Sequence, residues 1–269
     1  MKIVCLTRGR PRHNYFVNAI HRHHPISLSI VEYPPSNDKF QRILKERGLF
    51  GLARLVVQHY ITNGSEKNAL DATFGHAWKE VDRGIEVIRK DSINSSTVYE
   101  LLAKLKPDII LDHGTSIVKG EILSTAELAL NLHWGLSPYY RGTSCTEWAL
   151  VNRDPFNIGV TIHRLSKCID GGDVVAQRRI AILPEDNVNS INCRLTHQGT
   201  ELLIAVLDKL KRGESLDFKH QDFSRGFLYL NRHSDEHFRN CVRNIERKRL
   251  IQSMLEKPAR VEKLPIIEL

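Results

Sequence analysis

Apolar and polar positions alternate along this chain with two different periods. Lys2 to Leu6 is a short apolar run, the length of a buried strand. After the loop Thr7 to Pro11, Asn14 to His24 has helical spacing. Ser27 to Val31 predicts a second strand, ended by Pro34-Pro35. From Asp38 to about Glu80, Ile43-Leu44, Leu52 and Leu55-Val56 recur at helical spacing, and Ile85 to Ile88 predicts another strand. Ser96 to Leu105 is helical, with Leu101, Leu102 and Leu105 on one face. Pro107 then precedes Ile109-Ile110-Leu111, a candidate central strand.

The pattern tightens from there. His113-Gly114-Thr115 is a turn, Gly120 to Leu128 a short helix, and Leu128 to His133 a strand. Thr143 to Asn152 predicts a helix, and Val160 to Leu165 and Val174 to Ile182 predict strands rich in β-branched residues. Asn187 to Leu210 is a long amphipathic helix carrying Val188, Ile191, Leu195, Leu202, Leu203, Val206 and Leu210. Strands alternating with helices argue an α/β domain with a mostly parallel sheet. After Gly213 the character changes. Phe218 to Phe227 is polar and aromatic, and Ser234 to Glu256 predicts one charged helix with Phe238, Val242, Ile245, Leu250, Ile251 and Leu255.

Composition adds limits. The 269 residues are 41% hydrophobic and 26% charged, an ordinary globular balance. No run approaches a membrane span, and no signal-peptide core is visible, so a cytoplasmic protein is expected. The five cysteines are widely spaced without a Cys-x-x-Cys pair, which indicates reduced thiols and no metal site. The net charge of +8 is partly concentrated at the N-terminus. Lys2, Arg8, Arg10, Arg12 and Arg22 all precede the first acidic residue, Glu32. Such a stretch can grip phosphates or stand as a solvated basic loop.

Candidate chemistry begins at Asn131 and His133. Two apart on a strand, their side chains share one face. Gly135 and Pro138 end the run in the loop Trp134 to Gly142. Polar groups at the carboxyl end of a parallel strand lie where open α/β sheets bind ligands, although His133 could equally satisfy a hydrogen bond there. Asp170, in Ile169-Asp170-Gly171-Gly172-Asp173, reads on its own as a tight turn between two strands.

These segments in this order resemble the formyltransferases that use 10-formyltetrahydrofolate. That family includes methionyl-tRNA, phosphoribosylglycinamide and nucleotide-sugar formyltransferases. Its members carry an Asn-x-His segment, a Ser-Leu-Leu-Pro-x-x-Arg-Gly-like loop and an Asp in a Leu-Asp-x-Gly turn. Here the counterparts are Asn131-Leu132-His133, Pro138-Tyr139-Tyr140-Arg141-Gly142 with Gly159-Val160-Thr161-Ile162 following, and Ile169-Asp170-Gly171-Gly172-Asp173. The match runs over residues 107 to 212, and Gly135-Leu136-Ser137-Pro138 replaces the usual Ser-Leu-Leu-Pro.

The resemblance implies a Rossmann-like catalytic domain over 1–212, with a short, mainly helical extension over 213–269 packed on it. It implies an enzyme in which Asn131, His133 and Asp170 are catalytic and His163 supports them. 10-Formyltetrahydrofolate is the implied formyl donor, held by His113, Gly114, Thr115, Ser116, Ile117 and Ile169, largely through backbone groups. No metal is implied. Arg8, Arg10, Arg12 and Arg141 are the expected substrate-binding residues.

The acceptor is narrowed by exclusion. Glycinamide enzymes carry a Gly-Ser-Gly-Ser-Asn-like phosphate loop where this chain has Thr7 to Asn14. Methionyl-tRNA enzymes add a C-terminal β-barrel, which the segment after Gly213 is too short to form. That segment holds eleven Lys and Arg against nine Asp and Glu, so it lacks a basic excess for RNA. Formyltetrahydrofolate hydrolases carry a further N-terminal domain for which this chain has no room. The expected acceptor is therefore a small amine, with a phosphate-bearing one allowed, and best an amino sugar on a nucleotide. Nucleic acid and membrane are not expected partners. The amphipathic tail would serve a homodimer as readily as the monomer core. A methionyl-tRNA or phosphoribosylglycinamide enzyme, and a non-catalytic folate or nucleotide-sugar binding module, are the alternatives.

Overall fold

The computed structural model describes residues 1–33 and 64–269. The helical spacing at Ile43-Leu44, Leu52 and Leu55-Val56 lies outside the described residues. Residues 64–74, the last part of that stretch to be helical, form α2.

The strands are β1 (Ile3–Thr7), β2 (Ile26–Glu32), β3 (Val87–Lys90), β4 (Ile109–His113), β5 (Leu128–His133), β6 (Tyr140–Gly142), β7 (Gly159–Arg164), β8 (Val174–Arg179) and β9 (Phe227–Tyr229). The main helices are α1 (Pro11–His23), α3 (Ser96–Leu105), α4 (Gly120–Leu123), α5 (Cys145–Val151), α6 (Val188–Lys211), α7 (Glu236–Arg247) and α8 (Ile251–Glu256). Seven strands form one sheet in the order β3-β2-β1-β4-β5-β7-β8. The first five are parallel, and β7 runs antiparallel to β5 and β8. The mostly parallel sheet expected from the alternation is therefore present.

Each central strand feeds two cores by its period of two. Ile3 and Cys5 of β1, Ile109 and Leu111 of β4, and Leu130 and Leu132 of β5 face one layer with Phe16 and Ile20 of α1 and Leu195 and Leu202 of α6. Val4 and Leu6, Ile110, and Ala129 face the opposite layer with Val98 and Leu102 of α3 and Ile122 of α4. Burial on both faces explains the near-continuous apolar runs. The chain leaves β1 in one direction, through α1 to β2 and β3. It returns on the other side of β1 as β4 and β5. The crevice at the carboxyl ends of β1 and β4 is the topological switch point, the usual ligand position in such sheets.

α6 starts where Asn187 accepts from the amides of Asn189 and Ser190, a capping box that satisfies otherwise orphaned donors. Its packing face includes Gly199. A Cβ there would lie 2.5 Å from Cδ1 of Leu132 and 3.2 Å from Cγ1 of Val160, so the glycine lets the helix close on β5.

Two features differ from the expected pattern. Ser234 to Glu256 is two helices rather than one. The α7 stripe of Phe238, Val242 and Ile245 would continue to Arg249 and Gln252, which are polar. The chain breaks at Arg249, in the left-handed region with φ 50°, and re-phases so that α8 buries Ile251 and Met254. The segment after Gly213 also contributes β9, which pairs in parallel with the short strand β6. Trp148 of α5 links the two parts, stacking on Tyr229 at 4.7 Å and Phe238 at 4.2 Å.

Substituting Gly199→Val pushes α6 off Leu132. The expected cost is about 1–3 kcal/mol of overpacking, read as a lower urea midpoint with an unchanged slope.

Candidate active site

Two adjacent parallel strands end beside the switch point, and their terminal polar residues set up the site. β4 ends in Asp112-His113 and β5 in Asn131-Leu132-His133. Asp112 and Asn131 stand in register on adjacent parallel strands, so they share a sheet face with His133. His163 of β7 lies opposite Asn131 in the antiparallel pair. His113, one position on, points to the opposite face.

Asp170 reaches this group from the turn between β7 and β8. Its φ of 45° puts it in the left-handed region, which non-glycine residues seldom occupy. Gly172 follows because a Cβ there would collide with the carbonyl of Arg164. Gln221, from the segment after α6, donates to the carbonyls of Asp170 at 2.9 Å and Gly172 at 2.6 Å and closes the turn. Held this way, the Asp170 carboxylate accepts from the Gly142 amide at 2.7 Å and from Asn131 Nδ2 at 3.3 Å. His133 Nδ1 lies 3.4 Å from Oδ2, and His163 Nε2 lies 3.5 Å from Oδ1. The structure therefore brings Asn131, His133, His163 and Asp170 together.

The electrostatics follow from this packing. Burial alone would raise the Asp170 carboxyl, but His133, His163 and the Gly142 amide outweigh it and hold the group well below the usual carboxylate range. Burial drives His133 down, with Asp170 opposing, so the ring is biased towards its neutral form. Its Nε2 lies 2.9 Å from the Tyr140 carbonyl and Nδ1 faces Asp170. Oxygen acceptors on both sides are the partners a proton gained during reaction needs. Gly135 makes this approach possible, because a Cβ there would lie 2.5 Å from His133 Nε2.

A cavity of about 450 Å³ opens over these residues. Gly114 to Val118 form one wall, and Leu165, Ser166 and Cys168 to Asp170 form another. The first wall is pinned by Glu32 at the end of β2, whose carboxylate accepts from the Ser116 amide at 2.8 Å and its hydroxyl at 2.6 Å. Asn94 accepts from the Lys119 amide and donates to the Ile117 carbonyl. All six residues expected at the folate line the cavity. Arg8, Arg10 and Arg12 also line it. Arg141 does not. Its guanidinium packs over the Phe223 ring at 4.0 Å, outside the cavity lining. Among the described residues, no group of three or more His, Cys, Asp and Glu is arranged to hold a metal ion.

Two acidic residues that the motifs do not mark join the site. Glu32 carries no local signal beyond ending the basic stretch. Asp112 is a polar residue at the carboxyl end of an apolar strand, the signal that pointed to Asn131 and His133. Asp112 accepts from the Thr115 hydroxyl at 2.5 Å and is pushed up to about 7 by burial, with Asp170 and Glu32 adding to the rise against that hydroxyl and His163.

Comparison with known proteins gives the following. The family model described as formyl transferase matches residues 50–207. A 4-N formyltransferase from Francisella tularensis has a TM-score of 0.55 at 16% identity, covering 86% of this chain and 77% of its own. A phosphoribosylglycinamide formyltransferase from Streptococcus pneumoniae has a TM-score of 0.53 at 19% identity, over 78% of this chain and 99% of its own. The formyltransferase PseJ from Anoxybacillus kamchatkensis, in complex with UDP-4,6-dideoxy-4-formamido-L-AltNAc and tetrahydrofolate, has a TM-score of 0.52 at 16% identity, over 94% and 100%. At these identities the likeness is one of fold. No helix among the described residues is long and apolar enough to cross a membrane.

Asp112 yields a stability prediction. Its folded pKa of about 7 exceeds the ordinary aspartate value of 3.8, so its proton is held more tightly in the folded chain. That stabilisation is complete below the unfolded pKa and is lost as pH rises through about 7. Asp112→Asn keeps an acceptor for Thr115 and removes the titration. Its melting temperature relative to the unsubstituted protein is expected to climb between about pH 5 and pH 8. A constant difference across that range would mean that Asp112 is ionised throughout.

Proposed function

Because the chain belongs to the formyl transferase family, we propose that it transfers a formyl group from 10-formyltetrahydrofolate to the amine of a small acceptor, an amino sugar carried on a nucleotide. The observation that carries this reading is the convergence of Asn131, His133, His163 and Asp170 at the carboxyl end of β5, beside a cavity at the switch point.

The chemistry assigns each residue a task. The acceptor amine attacks the formyl carbon, and the carbonyl oxygen gains negative charge. One N–H of Asn131 Nδ2 holds Asp170, and the other, 3.1 Å from His163 Nε2, turns to stabilise this oxyanion, a contribution of about 3–4 kcal/mol in comparable sites. The attacking nitrogen must lose a proton. His133, held neutral by burial, takes it, and the resulting imidazolium lies between the Tyr140 carbonyl and Asp170. The proton then goes to the departing donor nitrogen, and the C–N bond to the donor breaks. Asp170 stays ionised throughout and orients both Asn131 and His133. His163 steadies the carboxylate from β7.

The donor's flat ring system fits between the wall at 114–118 and the wall at 165–170, and a cavity of about 450 Å³ lies in the range of ordinary ligand pockets. The pinning of Ser116 and Ile117 leaves that loop to recognise a ligand largely through its backbone. On the acceptor side, exposed Arg8 and Arg10 stand at the rim, where phosphates of a nucleotide carrier would meet them. The PseJ neighbour, crystallised with a UDP-linked formamido sugar and tetrahydrofolate, supports the same pairing of ligands.

Incubation with 10-formyltetrahydrofolate and a panel of nucleotide-linked amino sugars tests the reading, with N-formyl product followed by mass spectrometry. Turnover of some other amine, with no amino sugar accepted, would refute the acceptor. Absence of formyl transfer to any amine would refute the enzyme. Asn131→Ala is expected to lower kcat by about 10²–10³ while the protein still binds both substrates. The acid limb of the kcat/KM profile is expected below the usual histidine range, since burial lowers His133. His133→Ala should abolish that limb.

A further inference from the structure

The cavity crosses the carboxyl edge of the sheet, and the reacting group occupies only one side of it. Asn131, His133 and Asp112 belong to the face that carries α3 and α4. His113 and Trp134 follow Leu111 and Leu132 onto the other face, towards α1 and α6. There the His113 ring lies 4.9 Å from His13, 5.1 Å from Phe16 and 5.3 Å from Trp134. Arg12 covers Trp134 with its guanidinium at 4.6 Å, and Asn192 enters from α6.

This second wall has an unusual hydrogen-bond account. His113 is 3% exposed, and its Nδ1 lies 3.0 Å from the Leu132 carbonyl. Burial lowers its pKa to about 3, so the ring is neutral. A carbonyl can only accept, so Nδ1 carries the proton and Nε2 is left as a bare acceptor. Nε2 has no partner among the described residues. The same is true of Arg12 Nε, Trp134 Nε1 and Asn192 Oδ1, all buried. Thirteen buried polar side-chain atoms lack a hydrogen-bond partner among the described residues, and four of them cluster in this one wall of one cavity, where a ligand would satisfy them together.

The set is mixed in kind. Arg12 Nε and Trp134 Nε1 donate, whereas His113 Nε2 and Asn192 Oδ1 accept. Arg12 is also already paired with Glu66 at 3.4 Å, and Glu147 lines the same side of the cavity. A phosphate, which offers acceptors alone, would leave both acceptors of the wall unmet and face the two glutamates. A hydroxyl both donates and accepts. A ring bearing several hydroxyls matches the alternation with no net charge.

We infer that Arg12, His113, Trp134 and Asn192 seat the hydroxylated ring of the acceptor, with His113 Nε2 accepting from a ring hydroxyl. The inference rests on the amino-sugar reading above and names the part of the site that recognises the sugar itself. The ring then extends over the sheet edge from Trp134 to its sequence neighbour His133, which brings its amine to the reacting group. His113 is a specificity residue here, remote from the proton transfer.

Calorimetric titration with UDP and with UDP-linked 4-amino-4,6-dideoxyhexoses tests this, alongside acceptor KM in the formylation assay. His113→Asn retains a donor for the Leu132 carbonyl and removes Nε2. Trp134→Phe retains the bulk and removes Nε1, and Asn192→Ala provides a third variant on a different element. Thermal melts identify any variant that fails to fold. Each folded variant is expected to weaken the amino-sugar nucleotide about tenfold in Kd and acceptor KM, with UDP affinity changed less than twofold. Unchanged amino-sugar affinity, or an equal loss for UDP, would overturn the inference. So would an unsubstituted protein that binds the sugar nucleotides no better than UDP. The expected binding pattern without any N-formyl product leaves the ring seat standing and removes the transfer reading. Product formation at an unchanged acceptor KM does the reverse.

Discussion

Burying a carboxylate costs free energy unless donors replace the water it loses. Asp170 meets that requirement with elements drawn from most of the molecule. Gly142 supplies an amide from the end of β6, Asn131 an amide from β5, and the two histidines stand close by on β5 and β7. The turn that presents Asp170 holds a left-handed backbone and needs Gly172 against Arg164. Gln221, beyond the long helix α6, fastens that turn. Each of these groups is positioned by the carboxylate as much as it positions it. The orientation of Asn131 and His133 thus depends on a segment remote from both in sequence.

The sheet supplies the second constraint. A period of two sends alternate residues of β4 and β5 into separate layers, and this persists to the last residue of each strand. Leu111 and Leu132 are core, so the positions beyond them, His113 and Trp134, inherit that side. Asp112 and Asn131 inherit the other. A single cavity over the strand ends therefore has two chemically different flanks without any added element. α6 can close on one flank only because Gly199 gives Leu132 room.

Much of this was legible in the residues. The central strands β1, β4 and β5 are short apolar runs between turn signals, and they occur where the pattern places them. Asn131 and His133 on one face follow from strand geometry alone. The limits of legibility are equally specific. Helical periodicity cannot announce that α7 stops at Arg247 and the chain turns at Arg249, because propensity favours continuation and only the register of the buried stripe forbids it. The pairing of β6 with β9 joins three-residue segments separated by α6 and carries no local signal. Asp170 in an Asp-Gly-Gly turn looks like any hairpin corner, and its meeting with His133 is a tertiary fact that family resemblance alone could suggest. Arg141 beside a glycine in a polar loop reads as a ligand contact, yet Phe223 from the C-terminal segment covers it. Asp112 was within reach of the argument applied to Asn131. Strand-end polarity flags both equally.

The two aspartates illustrate how a site distributes charge. Asp112 is buried and Asp170 nearly so, with its side chain 13% exposed, and each raises the other's cost of ionising. The donors are not shared evenly. Asp170 holds an amide N–H from the main chain and the Asn131 side chain, with the His133 and His163 rings within 3.5 Å. Among the described residues, Asp112 accepts from the Thr115 hydroxyl alone. The proton consequently resides on Asp112, which is pushed up to about 7, and the negative charge on Asp170. Environments that drive two carboxyl groups apart in this way are how one pocket holds a fixed anion and a neutral acid at the same pH. The fixed anion faces His133, where a transient positive charge needs it. The neutral acid faces the pinned loop at Thr115, where a second negative charge would repel the first.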